Sequence, residues 1–283
     1  MQLSEITFQD NKYSRILKEF PDLLHPPNFS KPPKHSVKHY ILTDGPPSSS
    51  KARRLDPKRL EIAKQEFQKM VDLGVCRRSS SEWASPLHMV PKPNGSHRPC
   101  GDYRQLNLQT KPDRYPLPHI QDLVQKVHGC TIFSKIDLVK AYHQIPVNED
   151  DIPKTAIITP FGLFEFNRMS FGIKNAAQTF QRFMDHITKD LGFVLVYLDD
   201  LLIASKSTSE HKDHIRQVLS RLQEHGLQIN RDKCVFGVSE IEFLAQEISA
   251  FGLQLLLPPS SKPSELWPKG LSWSTPPLML HLA

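Results

Sequence analysis

Phe193-Val194-Leu195-Val196-Tyr197-Leu198-Asp199-Asp200-Leu201-Leu202-Ile203-Ala204 sets two adjacent carboxylates between two apolar runs. Each run has the length and composition of a buried strand, so the stretch predicts a hairpin with its charges at the turn. Neighbouring anions on low-dielectric walls repel each other and resist desolvation. Such a pair is unfavourable unless a cation offsets it, and a divalent metal does so readily. Asp-Asp is also ordinary turn chemistry, because Asp tolerates turn dihedrals and solvates well. The pair alone leaves both readings open, and the rest of the chain must choose.

The chain has 283 residues, 39% hydrophobic and 23% charged, which is the balance of a globular protein with a sizeable core. A net charge of +6 leans towards a polyanionic partner. Cys76, Cys100, Cys130 and Cys234 are widely spaced and form no Cys-x-x-Cys pair, so neither a disulfide framework nor a zinc site is signalled. His211 and His214 are three apart on an expected helix. Their surroundings, Ser209-Glu210-His211-Lys212-Asp213-His214, read as a solvated face rather than a metal site. No apolar run approaches the ~20 residues of a membrane span. The N-terminus lacks the layout of a signal peptide. The expectation is an intracellular protein, in cytoplasm or nucleus, neither secreted nor membrane-bound.

Along the chain, residues 1–55 read as a Pro/Ser/Lys-rich linker with a short amphipathic helix around Ile16, Leu17 and Phe20. Asp56-Pro57 predicts an N-cap and first helical position, with Leu60, Ala63, Phe67, Met70 and Val71 on one face and Gly74 as the stop. Leu87 to Val90 predicts a strand, turning at Pro93-Asn94-Gly95 into an arm that carries Arg98 and Arg104. Ile132 to Leu138 alternates like a strand and ends on a carboxylate. A hairpin is expected around Pro160-Phe161-Gly162, then helices at Asn175–Ile187 and about Glu210–His225. From residue 255 a Pro/Ser/Trp-rich tail with no consistent period is expected to lack stable structure.

Asp137 is the second half of the metal argument. If its strand neighbours the Asp199-Asp200 hairpin, three carboxylates converge on one sheet rim, an oxygen-rich inventory suited to hard cations. The alternative is that Asp137 caps a helical stretch from Leu138 to Gln144.

Four ordered blocks resemble the reverse transcriptases of gypsy-type long-terminal-repeat retrotransposons. They are Arg98-Pro99-Cys100-Gly101-Asp102-Tyr103-Arg104-Gln105-Leu106-Asn107; Phe133 to Leu138 with Ala141-Tyr142-His143-Gln144-Ile145; Phe171-Gly172-Ile173-Lys174-Asn175-Ala176 with Thr179-Phe180-Gln181; and Tyr197-Leu198-Asp199-Asp200. The resemblance covers about residues 36–254. It implies an α+β right-hand polymerase, with fingers at 56–112 and 145–174 and a ferredoxin-like palm sheet with helices at 113–144 and 175–254. The thumb is expected to be absent and residues 255–283 to be an aberrant tail. It also implies an RNA-directed DNA polymerase that uses two magnesium ions, with manganese as substitute, held by Asp137, Asp199, Asp200 and the Leu138 carbonyl. The implied partners are deoxynucleoside triphosphates and a primed RNA or DNA template. Lys92, Arg98, Tyr142, Phe171 and Gly172 fall at nucleotide-binding positions. Tyr142 lies where a 2′-hydroxyl is excluded, Lys233 matches a candidate proton donor, and Leu244-Ala245 falls in the primer grip.

The chain departs from that pattern in three places. Ser170 replaces a usual Pro, Ala245-Gln246 stands where Gly and most often His occur, and Phe251 replaces an acidic residue. A rival expectation is therefore an inert remnant that at most binds nucleic acid. A metal phosphoesterase would also use clustered Asp, but explains neither the finger hairpin nor Tyr142.

Overall fold

The computed structural model describes residues 12–91, 95–119, 127–244, 246–249 and 252–255. In chain order these residues form α1 (Lys12–Lys18), α2 (Pro57–Asp72), β1 (Cys76–Arg78), β2 (Ser85–Pro91), β3 (His97–Gly101), α3 (Arg104–Gln109), β4 (Ile132–Asp137), β5 (Ile157–Thr159), β6 (Gly162–Phe166), α4 (Ala176–Ile187), β7 (Val194–Tyr197), β8 (Asp200–Ser205), α5 (Thr208–Glu224), β9 (Val235–Val238), β10 (Glu240–Phe243), β11 (Gln246–Ser249) and β12 (Gly252–Leu255). Lys92, Pro93, Asn94, Ala245, Phe251 and the tail from 256 lie outside the described residues.

The apolar runs of β4, β7 and β8 build an antiparallel sheet in the order β7-β8-β4-β9. With α4 and α5 this is a βαββαβ unit of ferredoxin-like connectivity. Alternation sorts the faces. Ile136, Val194, Val196, Leu201 and Ile203 face the helices and pack with Phe180, Met184, Ile215 and Leu219. Phe133, Leu195, Tyr197, Leu202 and Ala204 lie on the other face, against Ile241, Phe243 and Ile248 of the small β10-β11-β12 sheet. Asp137 shares the parity of Phe133, and Asp200 that of Leu202. Both carboxylates therefore sit at the rim of the face turned away from the helices.

A second sheet, β1-β6-β5-β2-β3, is mixed, with β2 parallel to β5. Its core gathers Val75, Leu87, Met89, Tyr103, Ile157, Phe164 and Phe166 around Phe67 of α2. Asp56 caps that helix as its sequence predicts, its Oδ1 accepting from the Arg59 N–H at 3.0 Å. Gly74, at φ +75, ends it: the Val75 N–H reaches back to the Met70 carbonyl at 2.8 Å and the Gly74 N–H to Val71 at 2.9 Å.

Three findings differ from the sequence-based expectations. First, no α-helix begins at Asp137. The chain runs irregularly through Lys140, at φ +45, into a short 3-10 turn at Ala141–Gln144. Asp137 is thus no helix cap. Second, Ser209–His214 is not a solvated face throughout, because His211 is fully buried. Its Nε2 meets Ser134 Oγ at 2.6 Å and its Nδ1 meets Ser205 Oγ at 2.7 Å. Both ring nitrogens are spent on tying α5 to the sheet. Third, the Pro-rich N-terminal stretch is studded with buried apolar residues. Tyr13, Ile16, Leu17 and Leu23 join the helix-side core, while Phe29 and Ile41 join the other. The short helix expected around Ile16 and Leu17 is α1, while beyond it a composition dominated by Pro and Ser hid Leu23, Phe29 and Ile41.

Two buried histidines make stability acid-sensitive. Burial pushes His39 and His143 down to about 4. Each resists a proton that the unfolded chain accepts near pH 6.5, so their contribution is complete above that pH and is lost as pH falls towards 4. The expected loss is about 1.4 kcal/mol per pH unit for each group. Denaturant midpoints measured between pH 7 and 4.5 should fall accordingly, and His39→Gln should flatten the slope. A midpoint independent of pH would contradict this.

Candidate active site

Three carboxylates meet because of strand register. β4 pairs with β8 so that Asp137 stands opposite Asp200, and β7 pairs with β8 so that Tyr197 stands opposite Asp200. Leu198 and Asp199 are then the two central residues of a tight hairpin turn. Leu198 takes φ +54, a left-handed angle that disfavours a branched apolar side chain. Gln181, fully buried on α4, holds it there. Its Oε1 accepts from the Leu198 N–H at 3.1 Å, while its Nε2 donates to Asp185 Oδ1 at 2.9 Å and to the Val196 carbonyl at 3.3 Å. Within the quoted block Gln181 carried no assigned role. A polar residue on the face shared by Ala177, Phe180 and Met184 is the signal that could have found it.

Burial and mutual repulsion dominate the electrostatics of the carboxylates. Burial raises the Asp199 carboxyl above the usual range, and the charge of Asp200 raises it further. Asp137 is raised by burial as well, opposed by Lys233. Two ammonium groups stand against the carboxylates: Lys135 Nζ lies 3.0 Å from Asp200 Oδ1, and Lys233 Nζ lies 3.7 Å from Asp137 Oδ2. Among the described residues, no group of three or more His, Cys, Asp or Glu closes into a ready-made metal cage. The donor set nevertheless fits hard cations in chemistry. It offers anionic oxygens, two of them under-compensated, and lysines whose charge a metal could replace.

A cavity of about 500 Å³ opens beside the carboxylates, lined by Asp137, Leu138, Asp199, Lys233, Arg98 and Phe171 among others. Arg98 on β3 lies over the Phe171 ring, 5.7 Å from its centroid. Tyr142 is buried and packs edge-on against Phe171 at 4.7 Å and tilted against Phe180 at 5.4 Å. Burial and the nearby Asp199 charge both raise its hydroxyl. Gly172 takes φ +83, and the Asn107 side chain donates to its carbonyl at 2.8 Å. The cavity thus brings Asp137, Leu138, Asp199, Lys233, Arg98 and Phe171 together, while Asp200 stands opposite Asp137 by register, Tyr142 packs on Phe171 and Gly172 follows it. Leu244 stands apart, in the two-residue turn between β10 and β11, at φ +55 and buried. Cys234 adds a contact the sequence did not signal: its sulfur accepts from the Asp137 N–H at 3.4 Å.

Residues 90–248 match the family described as Reverse transcriptase (RNA-dependent DNA polymerase). The chain belongs to that family. It is 38% identical over 228 residues to a retrovirus-related Pol polyprotein from transposon 297 of Drosophila melanogaster, covering 78% of this chain and 22% of the relative. It is 40% identical over 200 residues to the transposon Tf2-3 polyprotein of Schizosaccharomyces pombe, covering 70% and 15%. The chain therefore spans about a fifth or less of these relatives. Among solved structures it superposes on a foamy viral protease-reverse transcriptase in complex with an RNA/DNA hybrid, with a TM-score of 0.77 at 21% identity, covering 86% of this chain and 33% of that one. The same viral enzyme with double-stranded DNA gives 0.78 at 20% identity, covering 90% and 56%. The fold is the α+β fingers-and-palm fold of reverse transcriptases.

Gln181→Met keeps the volume but strands the Leu198 N–H. We expect a loss of about 1–3 kcal/mol in urea unfolding, against under 1 kcal/mol for an exposed substitution such as Gln68→Met. Equal small losses would show that Gln181 does not hold the turn.

Proposed function

We propose that this chain is the polymerase module of a gypsy-type long-terminal-repeat retrotransposon Pol polyprotein. In this reading it adds deoxynucleotides to a primer 3′-hydroxyl on an RNA or DNA template. Residues 56–112 and 145–174 serve as fingers, and 113–144 and 175–254 as palm. The observation that carries the proposal is the opposition of Asp137 and Asp200 beside the Asp199 turn, at the mouth of a cavity that also holds Arg98. The relatives in transposon polyproteins support it.

Asp137 and Asp199, with Asp200 and the Leu138 carbonyl, would hold two divalent cations. When bound, these ions supply Lewis acidity for the primer hydroxyl and charge neutralisation for the triphosphate. The protein's own groups do the remainder. Arg98 and Lys92 bind phosphate; the planar fork of Arg suits two oxygens at once. Phe171 and Gly172 form the floor under the nucleotide, where the lack of a side chain at Gly172 permits close approach. Tyr142 stands against the sugar and leaves no room for a 2′-hydroxyl. In this reading Lys233 protonates the departing pyrophosphate. Leu244 and Ala245 hold the primer.

One observation favours a second reading. The Lys135–Asp200 and Lys233–Asp137 contacts already offset part of the charge, as in a remnant that binds nucleic acid without turnover. Primer extension separates the two. We expect magnesium-dependent extension of a DNA primer on an RNA template, reduced at least about 10³-fold in Asp199→Asn. Salt-sensitive binding of primer–template without extension by folded protein would establish the second reading. We also expect Tyr142→Val to admit ribonucleotides, lowering sugar discrimination about tenfold or more.

A further inference from the structure

The segment that carries Tyr142 is irregular, and the Gln144 side chain bonds across its base. Beyond β4, residues 137–139 are laddered to 228–230. The Asn230 N–H donates to the Asp137 carbonyl at 2.8 Å, and the Val139 N–H donates to the Gln228 carbonyl at 3.0 Å. Leu138 bridges Ile229. The ladder then breaks at Lys140, whose left-handed angle turns the chain into the 3-10 turn Ala141–Gln144. With no regular pairing left, the Gln144 side chain takes over. Its Nε2 donates to the Val139 carbonyl at 2.8 Å and to the Gln228 carbonyl at 2.9 Å, and its Oε1 accepts from the Gln228 N–H at 2.8 Å. Gln144 is 6% exposed, so these bonds are shielded from water. From the opposite side, His143 Nδ1–H donates to the Met169 carbonyl at 3.0 Å and the Met169 N–H donates to the Ile145 carbonyl at 2.8 Å.

We infer that Gln144 is a positioning residue for sugar selection: its carboxamide, clamped between residue 139 and residue 228, sets the height of the turn that presents Tyr142 to the nucleotide. The inference rests on the reading of Tyr142 as the residue that faces the sugar. The chemistry is specific to a carboxamide. Two donors meet two carbonyls while one acceptor meets one N–H. Glutamate of the same size keeps the acceptor but sets an anion against both carbonyls. Protonated glutamic acid restores one donor. Methionine restores none.

The test is single-nucleotide primer extension by the whole chain. It compares kcat/KM for a deoxynucleotide and its matched ribonucleotide in wild type, Gln144→Glu, Gln144→Met and Tyr142→Val. Measurements run from pH 6 to 9, with melting curves for every variant. We expect discrimination to fall about tenfold in Gln144→Met. In Gln144→Glu it should fall similarly at pH 9 and recover towards wild type at pH 6, while wild type stays flat. A merely structural role would lower the melting temperature and leave the discrimination ratio at its wild-type value at every pH, and that result overturns the inference. If Gln144→Met does not fold, the pH dependence of the ratio in Gln144→Glu decides alone. If Tyr142→Val itself leaves the ratio unchanged, the sugar-facing reading fails and the inference falls with it. A change in Tyr142→Val without one in either Gln144 variant overturns the Gln144 role only.

Discussion

Asp137 faces Asp200 across an antiparallel strand pair, a direct opposition of like charges that destabilises a sheet unless something offsets it. Much of the site is arranged around that opposition. Lys135, two residues back on the same face, reaches Asp200, and Lys233 reaches Asp137 from the turn before β9. The register is fixed by the two faces of the sheet. A slip of one residue would move Ile136, Leu201 and Ile203 out of the helix-side core and carry both carboxylates to the wrong face. The hydrophobic pattern thus places the charges that the hydrophobic effect alone would never bring together.

Two buried carboxamides complete the arrangement. Gln181 satisfies a strained turn at Leu198, and Gln144 closes an irregular loop onto residue 228. Both bond to backbone that departs from helix or strand and whose polar groups would otherwise lie unpaired away from water. Strain at the Asp199 turn and irregularity around Tyr142 are features that a functional site retains and a purely structural core tends to lose.

The fold was legible where local signals and burial agree. Asp56-Pro57 and Gly74 bracket a helix by capping chemistry, and the apolar strands around Asp199-Asp200 could hardly be surface elements. The convergence of Asp137 with Asp199 and Asp200 was legible only as a condition, since register between distant strands depends on packing that no local stretch encodes. His211 was misread because its charged neighbours face water while its own ring points into the sheet, a distinction that charge pattern does not carry. Part of the N-terminal stretch was hidden for a similar reason. Tyr13, Ile16 and Leu17 follow the helical period of α1, but Leu23, Phe29 and Ile41 follow the surface on which they lie rather than a helix or strand period.

We propose that this rim of carboxylates is a cation site. Anomalous diffraction from crystals soaked in manganese, with a nucleotide and primer–template present, tests it most directly. We expect manganese peaks in contact with Asp137 and Asp199, and Lys135 or Lys233 drawn away from its carboxylate. Crystals that hold manganese elsewhere, or none at this rim while the lysine contacts persist, would contradict it.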